Sequence, residues 1–349
     1  MSPFRNIRKK EVFPLAPRKI GNDHGKKLIW LILALTLTVA AILILPGLTE
    51  KEEKIVPQQV DPGFGSLVKK EYNGKTYVAR TGLTPILLIG VDRGDNAKEQ
   101  WGYQQGGQAD FLLLIVIDAP DKKVSMLQID RDTITDVETL GVLGNVIGTR
   151  KLQIALSHSY GKTPQDNCAY TVKTVSNLLQ GEPLDLYFSV NMSSIAAIND
   201  LLGGVTVTMQ EDHTSINPAF TKGATVHLNG QDAYNYVHYR MSADDGTNKS
   251  RMARQRNYML AAKDVLLSRL TKDNSFVETL FTALGDDLVT NLSQGRMINE
   301  AAKASQYQVG EITQMAGEHT VGTNNYVEFH ADEQFLIDWV LSVFYREYK

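Results

Sequence analysis

The pattern of apolar and polar positions divides this chain into stretches of different character. Residues 28–48, LIWLILALTLTVAAILILPGL, run for 21 positions without a charge. At ~1.5 Å per residue a helix of that length spans ~30 Å, the thickness of a bilayer core. The run is longer than the apolar part of a signal peptide, and no small-x-small cleavage site comes after it. Pro46 and Gly47 stand at its end, where breaking the helix costs nothing. It reads as an uncleaved single-pass transmembrane helix. Residues 49–75 are polar and contain Pro57, Pro62, Gly63 and Gly65, the composition of a juxtamembrane linker.

Beyond the linker, apolar runs of strand length alternate with helical spacings. Strands are expected over 85–92, 110–118, 123–130, 185–191, 205–209 and 326–329. The run 110–118 is continuously apolar between Asp110 and Asp118, so it should be buried on both faces. Pro120-Asp121 predicts a tight hairpin-like connection from it to 123–130. Helices are expected over 167–180, ending at Gly181, and over 193–202, 231–240, 249 to about 270, 293–306 and 332–347. Strands mixed with helices around one doubly buried strand predict a layered α/β/α sandwich with a mixed central sheet. No second linker interrupts 76–349, which is read as one domain.

Charge orients this arrangement. Residues 1–27 carry eight Lys and Arg against Glu11 and Asp23, a net of +6 immediately before the span. The positive-inside rule keeps that tail cytoplasmic and exports the chain beyond the span. The whole chain carries −3, so the remainder carries −9. An acidic exported domain argues against nucleic-acid binding, which wants a basic footprint. With one cysteine, Cys168, no intramolecular disulfide can form, and stability must come from the core. Cys168 lies in an apolar run and reads as a core residue rather than a nucleophile.

Against that acidic background the arginines of a few segments stand out. Arg251, Arg254 and Gln255 have i, i+3, i+4 spacing and share one helix face. With Asn248 or Ser250 as N-cap, Arg251 falls in the first turn, where free N–H groups and the helix dipole favour anions. A cation there opposes the dipole, and a bound anion is one way to relieve the conflict. Arg240, arriving from the preceding helix, could close the other side. This suits a phosphate or pyrophosphate clamp; the competing reading is a solvated face paired to Asp244 and Asp245. Asp92 ends one strand and Asp110 begins the next, so they are either carboxylates for a hard divalent cation or ordinary turn aspartates. Arg131 and Asp132 put a cation and a potential base at a third strand end, or form a local salt bridge. His158, His213, His227 and His238 lack partners at zinc-ligand spacing. Walker, Rossmann, Gly-x-Ser-x-Gly and His-Glu-x-x-His motifs are absent from the sequence, which disfavours nucleophilic hydrolysis.

Taken in order, LLIGVD at 87–92, QAD at 108–110, IDRDT at 129–133, LLGGVTV at 201–207, LNGQDA at 228–233, YVHYR at 236–240 and RMARQ at 251–255 resemble the LytR-CpsA-Psr proteins. The resemblance spans about residues 85–262 behind the same single anchor. It implies a phosphotransferase of the bacterial, Gram-positive cell surface. Such enzymes move a glycopolymer from a polyprenyl-pyrophosphate carrier onto peptidoglycan through a phosphodiester. It further implies Mg²⁺ at Asp92 and Asp110 and a pyrophosphate clamp of Arg131, Arg240, Arg251 and Gln255. The lipid would lie in an apolar tunnel against the run Phe111–Ile117. Asp132 is the candidate for activating the acceptor hydroxyl.

This chain departs from the family at several of these positions. Gln108 and His238 stand where arginines are usual, Gln153 where a lysine is usual, Asn248 for an aspartate and Ser250 for a glycine. Lys151, two residues from Gln153, could substitute. Arg254, His238 and Gln108 are carried with the clamp as candidate contacts. Each lost charge–phosphate contact would be worth roughly 1.5–3 kcal/mol. Two functions are therefore carried forward: a transferase with an altered clamp, and a membrane-anchored, regulatory binder of polyprenyl phosphates with little catalysis. A metal-dependent pyrophosphatase is a third reading.

Overall fold

The run read as apolar on both sides is the spine of the fold. In the computed structural model strand Gln108–Asp118 is buried along nearly its whole length. The structure describes residues 68–92, 106–141, 145–239, 248–273, 275–323 and 325–348, all within the compact unit Ser66–Lys349. The tail 1–27, the span 28–48, most of the linker, Arg240, Asp244 and Asp245 lie outside the described residues. Among the described residues no helix is long and apolar enough to cross a membrane.

Six strands form the central sheet, in the order Leu288–Thr290, Leu186–Asn191, Leu83–Asp92, Gln108–Asp118, Lys123–Ile129 and Gln308–Gln314. The middle three are antiparallel neighbours, while Leu186–Asn191 and Gln308–Gln314 add on in parallel, so the sheet is mixed as expected. The Pro120-Asp121 connection is tight: Asp118 pairs with Lys123, and Lys122 takes a positive φ of 49°.

Two cores lie on opposite faces, because successive side chains of a strand alternate. Leu112, Leu114 and Val116 pack with helices Pro164–Leu178 and Glu333–Phe344. Phe111, Leu113 and Ile117 pack on the other face with Leu202, Ala233, Tyr236 and Tyr258, which come from helices Ile195–Leu202, Gly230–His238 and Asn248–Lys272. Helix, sheet and helix thus form three layers.

Several elements differ from expectation. Strand Lys69–Tyr72 lies inside the stretch read as linker. It pairs with Lys75–Ala79, which in turn pairs with Tyr345–Glu347. The helix expected over 332–347 therefore ends at Phe344 and finishes as an edge strand. Helix Pro164–Leu178 starts three residues earlier than its apolar spacing implies, because Thr163 and Asp166 form a capping box with Pro164 at the first turn. Hairpin Ile134–Leu140 with Val146–Gln153 lies outside the expected elements, whereas Gly317–Val321 pairs with Val327–Ala331, the strand expected over 326–329. A bridge from Thr133 to Phe329 joins them.

One irregularity matters most for the site. Gly90 pairs with Phe111 but Val91 pairs with Ala109, which leaves Asp110 as the extra residue of a bulge. A bulge breaks strict alternation and re-aims a side chain. Ala109 joins one core and Phe111 the other, with Asp110 turned between them at the strand's start. Gly90 suits this place because a Cβ there would lie 2.8 Å from Met192 Sδ and 2.9 Å from Phe111 Cβ. Gly90→Ala is expected to cost about 1–3 kcal/mol through overpacking. Urea unfolding checks this, and an unchanged midpoint would mean that the bulge shifts at no cost.

Candidate functional site

The bulge delivers Asp110 to the end of the sheet where Asp92, Gln108 and Arg131 also lie, since Asp92 is the cross-strand partner of Gln108. Asp110 is only 7% exposed and is shared by two arginines. Arg131 Nη1 donates to its Oδ1, and Arg251 Nη1 donates to Oδ2 at 3.1 Å. Arg131 also donates through Nη2 to Gln108 Oε1 at 2.7 Å and through Nε to Asp132 Oδ1 at 3.2 Å. Residues from one strand, the end of another and the first turn of a long helix therefore meet in one buried cluster.

Arg251 stands at the fourth residue of helix Asn248–Lys272, where its charge opposes the helix dipole. The structure supplies the anion that this position calls for, namely Asp110. Asn248 does not act through the cap expected of it. As the helix's first residue it accepts from Arg251 Nη2 at 2.7 Å and Nε at 3.2 Å, and donates to Asp130 Oδ1 at 2.8 Å. Asp130 is 1% exposed and also accepts from the Asp132 amide at 2.9 Å. His319 Nε2 lies 2.9 Å from its Oδ2.

Asp92 and His238 make a second pair, with Oδ2 3.1 Å from Nε2. The imidazole lies nearly parallel to Tyr234, the centroids 4.8 Å apart. Both residues are partly exposed, whereas Asp110 is buried.

Arg254 stitches two helices together. Nε donates to the Tyr236 carbonyl at 2.8 Å, Nη2 to the Tyr239 carbonyl, and Nη1 to Ser250 Oγ at 3.1 Å. Those carbonyls end helix Gly230–His238, so Arg254 acts as a side-chain cap. Gln255 donates to the Val237 carbonyl at 3.3 Å, and its buried Oε1 has no hydrogen-bond partner among the described residues. The i, i+3, i+4 spacing holds, but only Arg251 reaches the Asp110 cluster. Arg240 lies outside the described residues.

Other residues that support the site carry no motif. His158 Nδ1 contacts the Gly106 carbonyl at 3.0 Å, and Ser159 Oγ donates to the Gly107 carbonyl at 2.8 Å. They pin the segment that leads into Gln108 and Asp110. His158 Nε2 lies 3.7 Å from Cys168 Sγ, deep in the core. Gln153 donates to Asp132 Oδ1 at 3.1 Å and to the Val327 carbonyl at 2.7 Å, tying the two hairpins to Asp132. Lys151 is instead paired to Asp136 on the exposed hairpin surface. The apolar run Phe111–Ile117 is covered by packed side chains on both faces.

Comparison with known proteins gives a consistent result. The sequence model of the LytR_cpsA_psr family matches residues 51–337. A protein of Bacillus licheniformis named polyisoprenyl-teichoic acid--peptidoglycan teichoic acid transferase TagU is 30% identical over 257 residues, covering 72% of this chain and 74% of that protein. A TagU of Bacillus cereus is 30% identical over 216 residues, covering 61% and 62%, so the match spans under two thirds of that relative. The crystal structure of Bacillus subtilis TagV superposes with a TM-score of 0.55 at 23% identity, over 76% of this chain and 96% of that one, a likeness of fold.

The contact between Asp130 and Asn248 requires a donor at 248, which the amide supplies. Asn248→Asp would set a carboxylate against Asp130 Oδ1 in a buried place. It is expected to lower stability by about 1–3 kcal/mol, since it loses a donor and adds like-charge repulsion. Thermal unfolding at neutral pH measures it; an undiminished midpoint would show that Asp130 does not depend on this donor.

Proposed function

This chain belongs to the LytR_cpsA_psr family, and from that premise we propose that it transfers a glycopolymer from a polyprenyl-pyrophosphate carrier to peptidoglycan. The observation that carries the reading is the buried pair of arginines, Arg131 and Arg251, gathered on Asp110 at the strand ends. Arg131 has five N–H donors, of which Gln108, Asp110 and Asp132 take three among the described residues. The others suit phosphate oxygens. Burial raises the value of such contacts, and a guanidinium held in place needs no reorganisation when charge develops. The names of the Bacillus relatives, teichoic acid transferases acting on peptidoglycan, support the same class of donor and acceptor.

In the proposed reaction an acceptor hydroxyl oxygen attacks the phosphorus next to the sugar. The bond from that phosphorus to the bridging oxygen breaks, and polyprenyl phosphate leaves with the electron pair. The product is a phosphodiester. Phosphoryl transfer of this kind depends mainly on positioning and charge neutralisation. Arg131, Arg251 and Arg240 are the proposed pyrophosphate ligands, together with Gln255. Asp132 takes the hydroxyl proton, and Gln153 and Arg131 fix its orientation. Asp92 and Asp110 are hard carboxylate donors at neighbouring places on one strand pair, a type that fits Mg²⁺, and Asp110, whose two oxygens accept from Arg131 and Arg251, would give up one of those contacts to hold it. Bound there, the ion would neutralise phosphate charge. We further propose that residues 28–48 anchor the chain, with the basic tail cytoplasmic and the domain outside.

A second reading has a specific observation in its favour. Gln108 and His238 replace two cations, and Arg131 and Arg251 already carry an internal counter-ion. A site so neutralised suits a binder of polyprenyl phosphates that turns over slowly.

Full-length protein in nanodiscs, given a polyprenyl-pyrophosphate-linked glycan and peptidoglycan, should release polyprenyl phosphate only when Mg²⁺ and acceptor are both present. Arg251→Ala, and independently Arg240→Ala, should lower the rate by about a hundredfold or more. Donor binding without turnover establishes the binder instead, and release without acceptor a pyrophosphatase. The anchor is tested separately. Deleting 28–48 should move the protein out of the membrane fraction, and protease added to cells lacking their wall should remove the domain but spare an N-terminal tag. A tag that is digested would reverse the topology.

A further inference from the structure

We propose that His319 is a positioning residue for Arg251, acting through Asp130 and Asn248. The proposal rests on the reading of Arg251 as a pyrophosphate ligand and adds to it the device that orients the guanidinium.

A continuous chain of polar contacts links the two residues. His319 Nε2 is 2.9 Å from Asp130 Oδ2, and Asn248 Nδ2 is 2.8 Å from Asp130 Oδ1. Asn248 Oδ1 then accepts from Arg251 Nη2 at 2.7 Å and Nε at 3.2 Å. Asp130, Asn248 and Arg251 are each at most 2% exposed, so water does not substitute for a missing partner. His319 is the outer end of the chain, on strand Gly317–Val321, with its ring tilted against Phe329 at 4.8 Å.

The direction of the chain follows from donor chemistry. A carboxylate only accepts, so His319 presents an Nε2–H and Asn248 presents its NH₂ to Asp130. The amide of Asn248 is thereby prevented from flipping. Its oxygen must face Arg251, which only donates. With Asp130 misplaced, the amide can turn its NH₂ toward the guanidinium, where donor meets donor and the hold on Nε and Nη2 is lost. Asp110 would still hold Nη1, but the two contacts on Nε and Nη2 that help set the plane of the guanidinium would be gone. A planar fork binds phosphate well only when its plane is set.

His319 matters because of what Asp130 would otherwise lack. A buried carboxylate is stable only with its oxygens hydrogen-bonded. Oδ1 has Asn248 and the Asp132 amide, whereas Oδ2 meets His319. The hairpin 317–331 thus brings a donor to the far side of Asp130 and places the C-terminal part of the chain in the anion site.

The test uses full-length protein in detergent micelles, with inorganic pyrophosphate as the probe. Calorimetry compares wild type, Arg251→Ala, His319→Ala, His319→Gln, Asn248→Ala and the His319→Ala/Asn248→Ala double variant. The nitrogen-15 resonance of Arg251 Nε–H is followed in each that retains Arg251. His319→Ala is expected to weaken binding about tenfold, the size common for an outer-shell partner. His319→Gln, which keeps a side-chain N–H of similar reach, should recover most of it. The double variant should be no weaker than Asn248→Ala alone, because both changes break one chain. Wild-type binding in His319→Ala alongside loss in Arg251→Ala overturns the proposal and leaves the site reading standing. A glutamine variant as weak as the alanine one, or additive losses, overturns it by reducing His319 to a structural prop. If Arg251→Ala binds as wild type, the reading of the site fails. The resonance then decides the positioning role: a shift in His319→Ala that reverts in His319→Gln upholds it, and an unmoved resonance overturns it.

Discussion

Two guanidinium groups on one buried carboxylate are the constraint on which the rest of this site depends. Arg131 and Arg251 cannot both be buried without an anion, and Asp110 is that anion. Removing one member of such a cluster leaves an uncompensated charge, which typically costs ~3–5 kcal/mol. The arrangement therefore demands that three separate pieces of chain arrive together. These are the start of strand Gln108–Asp118, the end of strand Lys123–Ile129 and the first turn of helix Asn248–Lys272. The bulge at Asp110 serves this demand. Without the extra residue, regular alternation would point the 110 side chain into an apolar face of the sheet.

The cluster also explains why the surrounding polar residues are so thoroughly used. Arg254 ends one helix through backbone carbonyls, His158 and Ser159 hold the approach to Gln108, and Gln153 holds Asp132. None of these needs to touch a substrate to matter. They fix the frame on which Arg131 and Arg251 are displayed, and a frame that does not relax is what electrostatic stabilisation requires. The C-terminal third of the chain contributes to the same end. Gln308–Gln314 extends the sheet, Glu333–Phe344 closes one core, and the hairpin between them meets Asp130 and Asp132.

Much of the fold was legible because burial writes itself into periodicity. The strand read as buried on both faces is the centre of the sheet, and the hairpin at Pro120-Asp121 is dictated by turn chemistry alone. Helices with apolar stripes lie where their spacing put them, to within a few residues. Elements that do not bury much escape such a reading. The hairpin strand Val146–Gln153 is largely exposed, and Lys69–Tyr72 is a half-buried edge strand that pairs with Lys75–Ala79.

The sequence by itself determined which residue types could handle phosphate and in what order they occur. It did so because motif spacing and helical register are local properties. It also marked an apolar span and a basic tail, whose arrangement depends on composition alone. Only the tertiary structure decided how the charges are shared. Arg251 and Arg254 lie one turn apart on one helix, yet one meets Asp110 and the other meets backbone carbonyls. Spacing of 3 or 4 residues sets a common face, but what stands opposite Arg251 comes from chain 141 positions away, and what stands opposite Arg254 from the end of the preceding helix. Asp130 and His319 show the same thing at longer range, being 189 positions apart and 2.9 Å from contact to contact. No local pattern could have paired them.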